Sequence, residues 1–195
     1  MVSNYPYLNE IVPKLWLGAI NAANNGFLKP RNITAVLSII NSRDMIPKLN
    51  ELNIHECIIR EDGDAFMPEE IALGINFIET NLERGLSILV HCLAGVSRST
   101  SIVAGYLMKK YKWDPYHVLK FIAKKRIVVS PATKTYNSVI SFVYGSNKEF
   151  ICLTCNKSWK YQSGLDFHYN KSFSQIFCSC YQPNLKIIDK STSIT

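Results

Sequence analysis

Leu86-Ser87-Ile88-Leu89-Val90-His91-Cys92-Leu93-Ala94-Gly95-Val96-Ser97-Arg98-Ser99 is the stretch that decides how this chain reads. Its first five residues form a short apolar run suited to a buried strand, and from Ser99 onward Ile102, Val103, Tyr106 and Leu107 recur at helical spacing. The segment between therefore joins a strand to a helix N-terminus. Backbone N–H groups of Leu93, Ala94, Gly95, Val96, Ser97 and Arg98 can converge there on one point, where unsatisfied donors and the helix dipole favour an anion. Cys92 lies at the bottom of that cradle. Donors that hold an anion also stabilise a thiolate, which moves a cysteine pKa from about 8.5 into a range of roughly 3.5–7.5. Arg98 adds a planar fork able to grip two phosphate oxygens. The Ser99 hydroxyl can reach the sulfur and stabilise it as a leaving thiolate. Gly95 leaves room for a tight turn, and His91 is expected to orient the loop through its ring nitrogens.

The pattern His-Cys-x-Ala-Gly-x-Ser-Arg-Ser over residues 91–99 resembles the signature of cysteine-dependent protein phosphatases, in the form used by their dual-specificity branch. The resemblance extends upstream to Val12-Pro13-Lys14-Leu15-Trp16-Leu17-Gly18, Ala22 and Ile33-Thr34-Ala35-Val36-Leu37. Downstream it takes in Gly105-Tyr106-Leu107-Met108, Lys125-Arg126, Pro131 and Tyr136. The family usually has Asn before that proline and Phe at the later aromatic, where this chain has Ser130 and Tyr136. The resemblance implies hydrolysis of phosphotyrosine and phosphoserine or phosphothreonine in proteins through a cysteinyl-phosphate, with no metal needed for that step. Such chemistry needs a general acid for the departing oxygen. The family carries an Asp on a loop some thirty residues before the cysteine, following a strand. His55 to Arg60 reads as that strand and Glu61-Asp62-Gly63-Asp64 as the loop. Asp62 is the candidate acid and Asp64 its competitor.

Expected strands cover 15–17, 35–40, 54–59 and 86–90, and expected helices cover 69–83, 99–111, 114–124 and 132–144. Pro68 with Glu69 and Glu70 suits a helix start, and Ile71, Ile75, Ile78 and Leu82 form its inward stripe. Asp114-Pro115 supplies a second start, as N-cap and first helical residue, and Gly145 a stop. The fold class is α/β, a cysteine-phosphatase domain over 5–145 with a central, mostly parallel sheet flanked by helices. A strand–helix–strand crossover, 54–59 to 86–90, puts the phosphate loop on the rim where parallel strands end.

After Gly145 the chain changes character, and residues 149–189 are expected to form a small cysteine-rich domain. Four of the six cysteines lie there, as Cys152-x-x-Cys155 and Cys178-x-Cys180. Two such pairs brought together make a tetrahedral sulfur cage suited to a structural Zn²⁺, which a domain this small needs as a staple. His168 could replace one sulfur, and a chain without metal remains an alternative reading. Cys-x-x-Cys, a Lys157-Ser158-Trp159 segment, Cys178-Ser179-Cys180 and Pro183 resemble the C-terminal zinc domain of the dual-specificity phosphatase 12 type. That narrower resemblance implies a link to assembly of the large ribosomal subunit.

The chain has 195 residues with a net charge of +7, divided between sixteen basic and twelve acidic residues before Gly145 and six against three from there on. So modest an excess is compatible with phosphoprotein, ribosomal or RNA partners, and Lys109-Lys110, Lys112 and Lys124-Lys125-Arg126 would form a patch if adjacent helices present them together. No run of about 18 apolar residues and no secretory pattern is present, so no membrane partner is expected and the expected location is cytoplasmic or nuclear. Such a compartment keeps a catalytic thiolate reduced. Cys57 is a candidate resolving partner for an oxidised Cys92, against the plainer reading of a strand residue. Two other functional classes remain compatible with the sequence: an RNA 5′-triphosphatase using the same loop, and a ribosome- or RNA-binding module in which catalysis is incidental.

Overall fold

The computed structural model describes residues 6–41, 49, 54–60, 63, 65–145, 148–152, 158–160 and 185–189. Its elements are β1 (Leu8–Val12), β2 (Leu15–Ala19), α1 (Asn25–Leu28), β3 (Ile33–Ile40), β4 (His55–Arg60), α2 (Pro68–Glu83), β5 (Ser87–Cys92), α3 (Arg98–Tyr111), α4 (Pro115–Lys125) and α5 (Thr133–Tyr144). Each strand and helix expected from the sequence as far as Gly145 is present, with ends shifted by a few residues. Strand β1 and the single-turn helix α1 are additional.

The sheet runs in the order β1-β2-β5-β3-β4. Only the β1–β2 hairpin is antiparallel; β2, β5, β3 and β4 are parallel to one another. The crossover from β4 through α2 to β5 joins parallel strands as expected, but the two are not neighbours, because β3 lies between them. All but one residue of β3 is buried, and a strand so enclosed needs ladder partners on both edges to satisfy its backbone.

Alternation along the strands divides the apolar side chains between the two faces. Leu15, Leu17, Ala35, Leu37, Ile39, Ile88, Val90 and Cys92 join the larger core, with α2, α3, α4 and α5. Leu89, Val36 and Trp16 pack on the opposite face with Leu28 of α1. Helix α3 is the centre of the larger layer, with every residue from Ser99 to Met108 buried. The expected stripe of α2 faces this layer through Ile71, Ile75 and Ile78, with Leu82 packed at its edge.

Helix α4 begins as expected. The Asp114 carboxylate, with no exposed surface, accepts the N–H groups of Tyr116 at 3.0 Å and His117 at 3.1 Å, and its other oxygen contacts His117 Nδ1. Pro115 follows at the position where a missing N–H costs nothing. The departure at Tyr136 is absorbed locally, since its hydroxyl donates to the carbonyl of Pro115.

A second sheet has the order β7-β6-β8, from β6 (Lys148–Cys152), β7 (Ser158–Lys160) and β8 (Leu185–Asp189), all antiparallel. Cys152 ends β6 and pairs with Leu185, the first residue of β8. Cys155, His168, Cys178 and Cys180 lie outside the described residues.

Removing the cap should test the α4 start. Asp114→Ala is expected to lower stability by about 1–2 kcal/mol, read as an earlier urea midpoint at unchanged slope; an unchanged midpoint would show that the carboxylate does not cap.

Candidate active site

The rim is set by register. Ala19 of β2 is level with Cys92 of β5, and Ser38 of β3 is level with His91. Ile40 is level with Arg60 of β4, so four parallel strands end on one edge and the loop 93–97 rises from it. Cys92 is the last residue of its strand and 3 % exposed.

Each carbonyl of the first four loop residues is taken by a donor outside the loop. Leu93 O accepts from Ile20 N at 3.2 Å and Val96 O from Ser130 N at 3.0 Å. Ala94 O accepts from one terminal guanidinium nitrogen of Arg126 at 3.2 Å, and Gly95 O from Arg126 Nε at 2.9 Å. The Ser97 hydroxyl accepts from Ala132 N at 2.8 Å. Because a peptide unit is planar and trans, a carbonyl held outward turns the next residue's N–H inward. Gly95 N–H accordingly donates to Cys92 Sγ at 3.2 Å.

Two glycines allow the loop to sit this low. Gly95 has φ +66°, and a Cβ there would fall 2.4 Å from Gly18 O. At Gly18 a Cβ would lie 2.9 Å from Tyr7 O. Backbone meets backbone at this point, so neither clash can be relieved by a rotamer.

The Ser99 hydroxyl, fully buried at the start of α3, donates to Cys92 Sγ at 3.2 Å. Burial pushes the Cys92 thiol up, but the hydrogen bonds from the Ser99 hydroxyl and from the backbone N–H groups of Ser99, Val96 and Gly95 outweigh it, leaving the pKa below that of an ordinary cysteine. His91 points to the other face, where Nε2 lies 2.8 Å from Ser38 Oγ, and burial holds it down at about 4, partly opposed by its contact with the Cys92 carbonyl. It is therefore neutral at pH 7 and braces the strand end from behind. Arg98 is the first residue of α3 and half-buried.

Two sequence expectations need correction. Arg126 does not belong to a basic surface patch: it is 4 % exposed, and its guanidinium is turned under the loop. Lys109 of the same patch pairs with Glu79 at 2.9 Å. The basic run 124–126 looks uniform in sequence because it crosses the end of α4, where Arg126 leaves the helix in extended conformation. Cys57 is also displaced as a resolving partner. It is level with Leu37, itself level with Val90. Two strand spacings, about 10 Å, and two further residues thus separate it from Cys92, beyond the roughly 7 Å Cα limit of a disulfide. Asp62 and Asp64 lie outside the described residues, whereas Gly63 between them is exposed.

The model of the dual specificity phosphatase catalytic domain family matches residues 15–143, a span that contains the whole rim and loop. The chain belongs to this family. Dual specificity protein phosphatase 22-B of Danio rerio is 32% identical over 145 residues, covering 73% of this chain and 78% of that one. Dual specificity protein phosphatase 1 of Arabidopsis thaliana is 34% identical over 132 residues, covering 64% of this chain. The chain spans 66% of the Arabidopsis relative's length and 61% of that of a Dictyostelium discoideum relative. Among solved structures, the human tyrosine phosphatase-like serine/threonine/tyrosine-interacting protein shares the fold with a TM-score of 0.64 at 22% identity, over 69% of this chain and 94% of that one.

Removing the Ser99 hydroxyl deletes one of the bonds that lower the thiol pKa, so the pKa should rise in Ser99→Ala. A bond to a charged group is worth about 1.5–3 kcal/mol. The thiol's acid dissociation constant, read from the pH profile of alkylation by iodoacetamide, should therefore fall about tenfold or more; an unchanged pH profile would show that the hydroxyl does not stabilise the thiolate.

Proposed function

We propose that the chain is a protein phosphatase acting on phosphotyrosine and phosphoserine or phosphothreonine through a cysteinyl-phosphate. The observation that carries this reading is the loop 93–97, whose outward-held carbonyls leave its N–H groups to face a buried sulfur with a lowered pKa. A thiolate beneath converging donors is an in-line nucleophile for a bound phosphate dianion. In the first step Cys92 Sγ forms the bond to phosphorus as the bond to the substrate oxygen breaks. Arg98 and the backbone N–H groups of residues 93–98 hold the equatorial oxygens, and Asp62 gives its proton to the departing oxygen. In the second step water attacks phosphorus, Asp62 takes the proton, and the S–P bond breaks with Ser99 supporting the returning thiolate. The assignment of Asp62, with Asp64 as competitor, is supported by register: β4 ends at Arg60 on the rim that carries Cys92. A reducing cytoplasmic or nuclear setting suits this chemistry.

Hydrolysis of an aryl phosphate across pH, without added metal, tests this. Wild-type protein is expected to be active, Cys92→Ser inactive, Arg98→Lys reduced by at least about a hundredfold, and Asp62→Asn reduced most for poor leaving groups. Activity surviving in Cys92→Ser, or none in freshly reduced wild type, would overturn the reading. Full activity in Asp62→Asn would move the acid to Asp64.

The tail is proposed to hold one structural Zn²⁺ through Cys152, Cys155, Cys178 and Cys180. The donor set suits the ion, and pairing of Cys152 with Leu185 sets the start of β8 beside the first Cys-x-x-Cys residue, five positions after Cys180. Among the described residues no group of three or more ligating side chains is present; three of the four cysteines lie outside them. Protein purified with zinc available should carry one equivalent, lost in Cys152→Ser or Cys178→Ser with aryl phosphate hydrolysis retained. No zinc in the wild type would contradict the assignment.

A further inference from the structure

Arg126 poses a problem in electrostatics. It caps the C-terminal end of α4, is 4 % exposed, and donates to Gly95 O, Ala94 O, Pro6 O and Asn9 Oδ1. All four acceptors are neutral. A desolvated cation needs a countercharge, and the charge that bears on it is that of Cys92. Burial lowers the Arg126 pKa, and the thiolate pulls it back up.

The two loop carbonyls that Arg126 holds are not arbitrary. Ala94 O belongs to the peptide whose N–H is that of Gly95, and Gly95 O to the peptide whose N–H is that of Val96. Those are two of the three backbone donors that lower the Cys92 pKa. Because each peptide is a rigid plane, one guanidinium fixes the direction of both N–H groups that face the sulfur. Its remaining contacts reach the N-terminal segment: one terminal nitrogen donates to Pro6 O and to Asn9 Oδ1, each at 2.9 Å. Asn9 lies in the edge strand β1 and is level with Leu17.

We propose that Arg126 is a positioning residue of the phosphate cradle, and that Asn9 and Pro6 set its place, so that the N-terminal edge strand controls the aim of the loop donors at the Cys92 sulfur. This rests on the phosphate-cradle reading of the loop. The fork is needed for its shape: Nε and one terminal nitrogen span two successive carbonyls while the other terminal nitrogen reaches β1, which an ammonium cannot reproduce.

The test is the pH dependence of Cys92 alkylation by iodoacetamide, with kcat and KM for an aryl phosphate and the affinity for vanadate measured alongside. Arg126→Met should move the thiol titration to higher pH, an acid dissociation constant about tenfold or more lower as read from the alkylation pH profile, and should weaken vanadate binding. Arg126→Lys should recover part of the change in titration and little of the vanadate affinity. Asn9→Leu, which leaves both loop bonds available, should move both readouts in the same direction by less. A folded Arg126→Met protein with wild-type thiol titration and vanadate affinity would overturn the proposal. Should Arg126→Met fail to fold, Asn9→Leu decides, and wild-type values for it would overturn control by β1. An altered titration in protein that hydrolyses no phosphate ester would instead retire the phosphatase reading and leave the positioning role standing.

Discussion

Planarity of the peptide unit is the constraint on which the site depends. A loop of five residues cannot choose the direction of its N–H groups independently of its carbonyls, and here Ile20, Arg126 and Ser130 fix the carbonyls from outside. The inward donors are thus preorganised, and no reorientation is needed when charge arrives. The same donors let a 3 % exposed sulfur carry charge, which burial alone would forbid.

The sheet and helices supply the anchors. Parallel alignment of β2 with β5 brings Ala19 level with Cys92 and sets Gly18 against Gly95, so the loop seats on backbone. The segment 126–132 follows the other side, attached at Gly95, Val96 and Ser97. Helix α3, buried from Ser99 to Met108, carries Arg98 and Ser99 in its first turn, so both side chains are aimed by a rigid element. His91, neutral and bonded to Ser38, closes the rear face.

The elements that build this frame are legible in the sequence because each is encoded locally. The apolar run before His91, the stripe Ile71, Ile75, Ile78 on α2 and the Asp114-Pro115 start all depend on neighbours within a few residues. Strand β1 escapes such a reading because Leu8 and Ile11 bury their side chains without the alternation that marks a half-buried strand. The insertion of β3 between β4 and β5, and hence the distance from Cys57 to Cys92, depends on long-range pairing that no window of sequence contains. Arg126 is hidden for the same reason. Its partners are 31 and 32 residues away in the loop and 117 and 120 away in the N-terminal segment, while beside Lys124 and Lys125 it looks like one more surface cation. The one local sign is its place at a helix end, where the chain turns out of the α4 stripe.

The central claim is that the sulfur beneath these donors takes the phosphate. It is tested most directly by acid-quenching the full chain during turnover of an aryl phosphate and locating bound phosphate by mass spectrometry, in wild type and in Ser99→Ala, where slower loss of the thiolate leaving group should let the intermediate accumulate. The account expects phosphate on Cys92 and on no other residue, with more of it in Ser99→Ala. Turnover with no phosphorylated cysteine in either protein, or with phosphate on a different side chain, would contradict it.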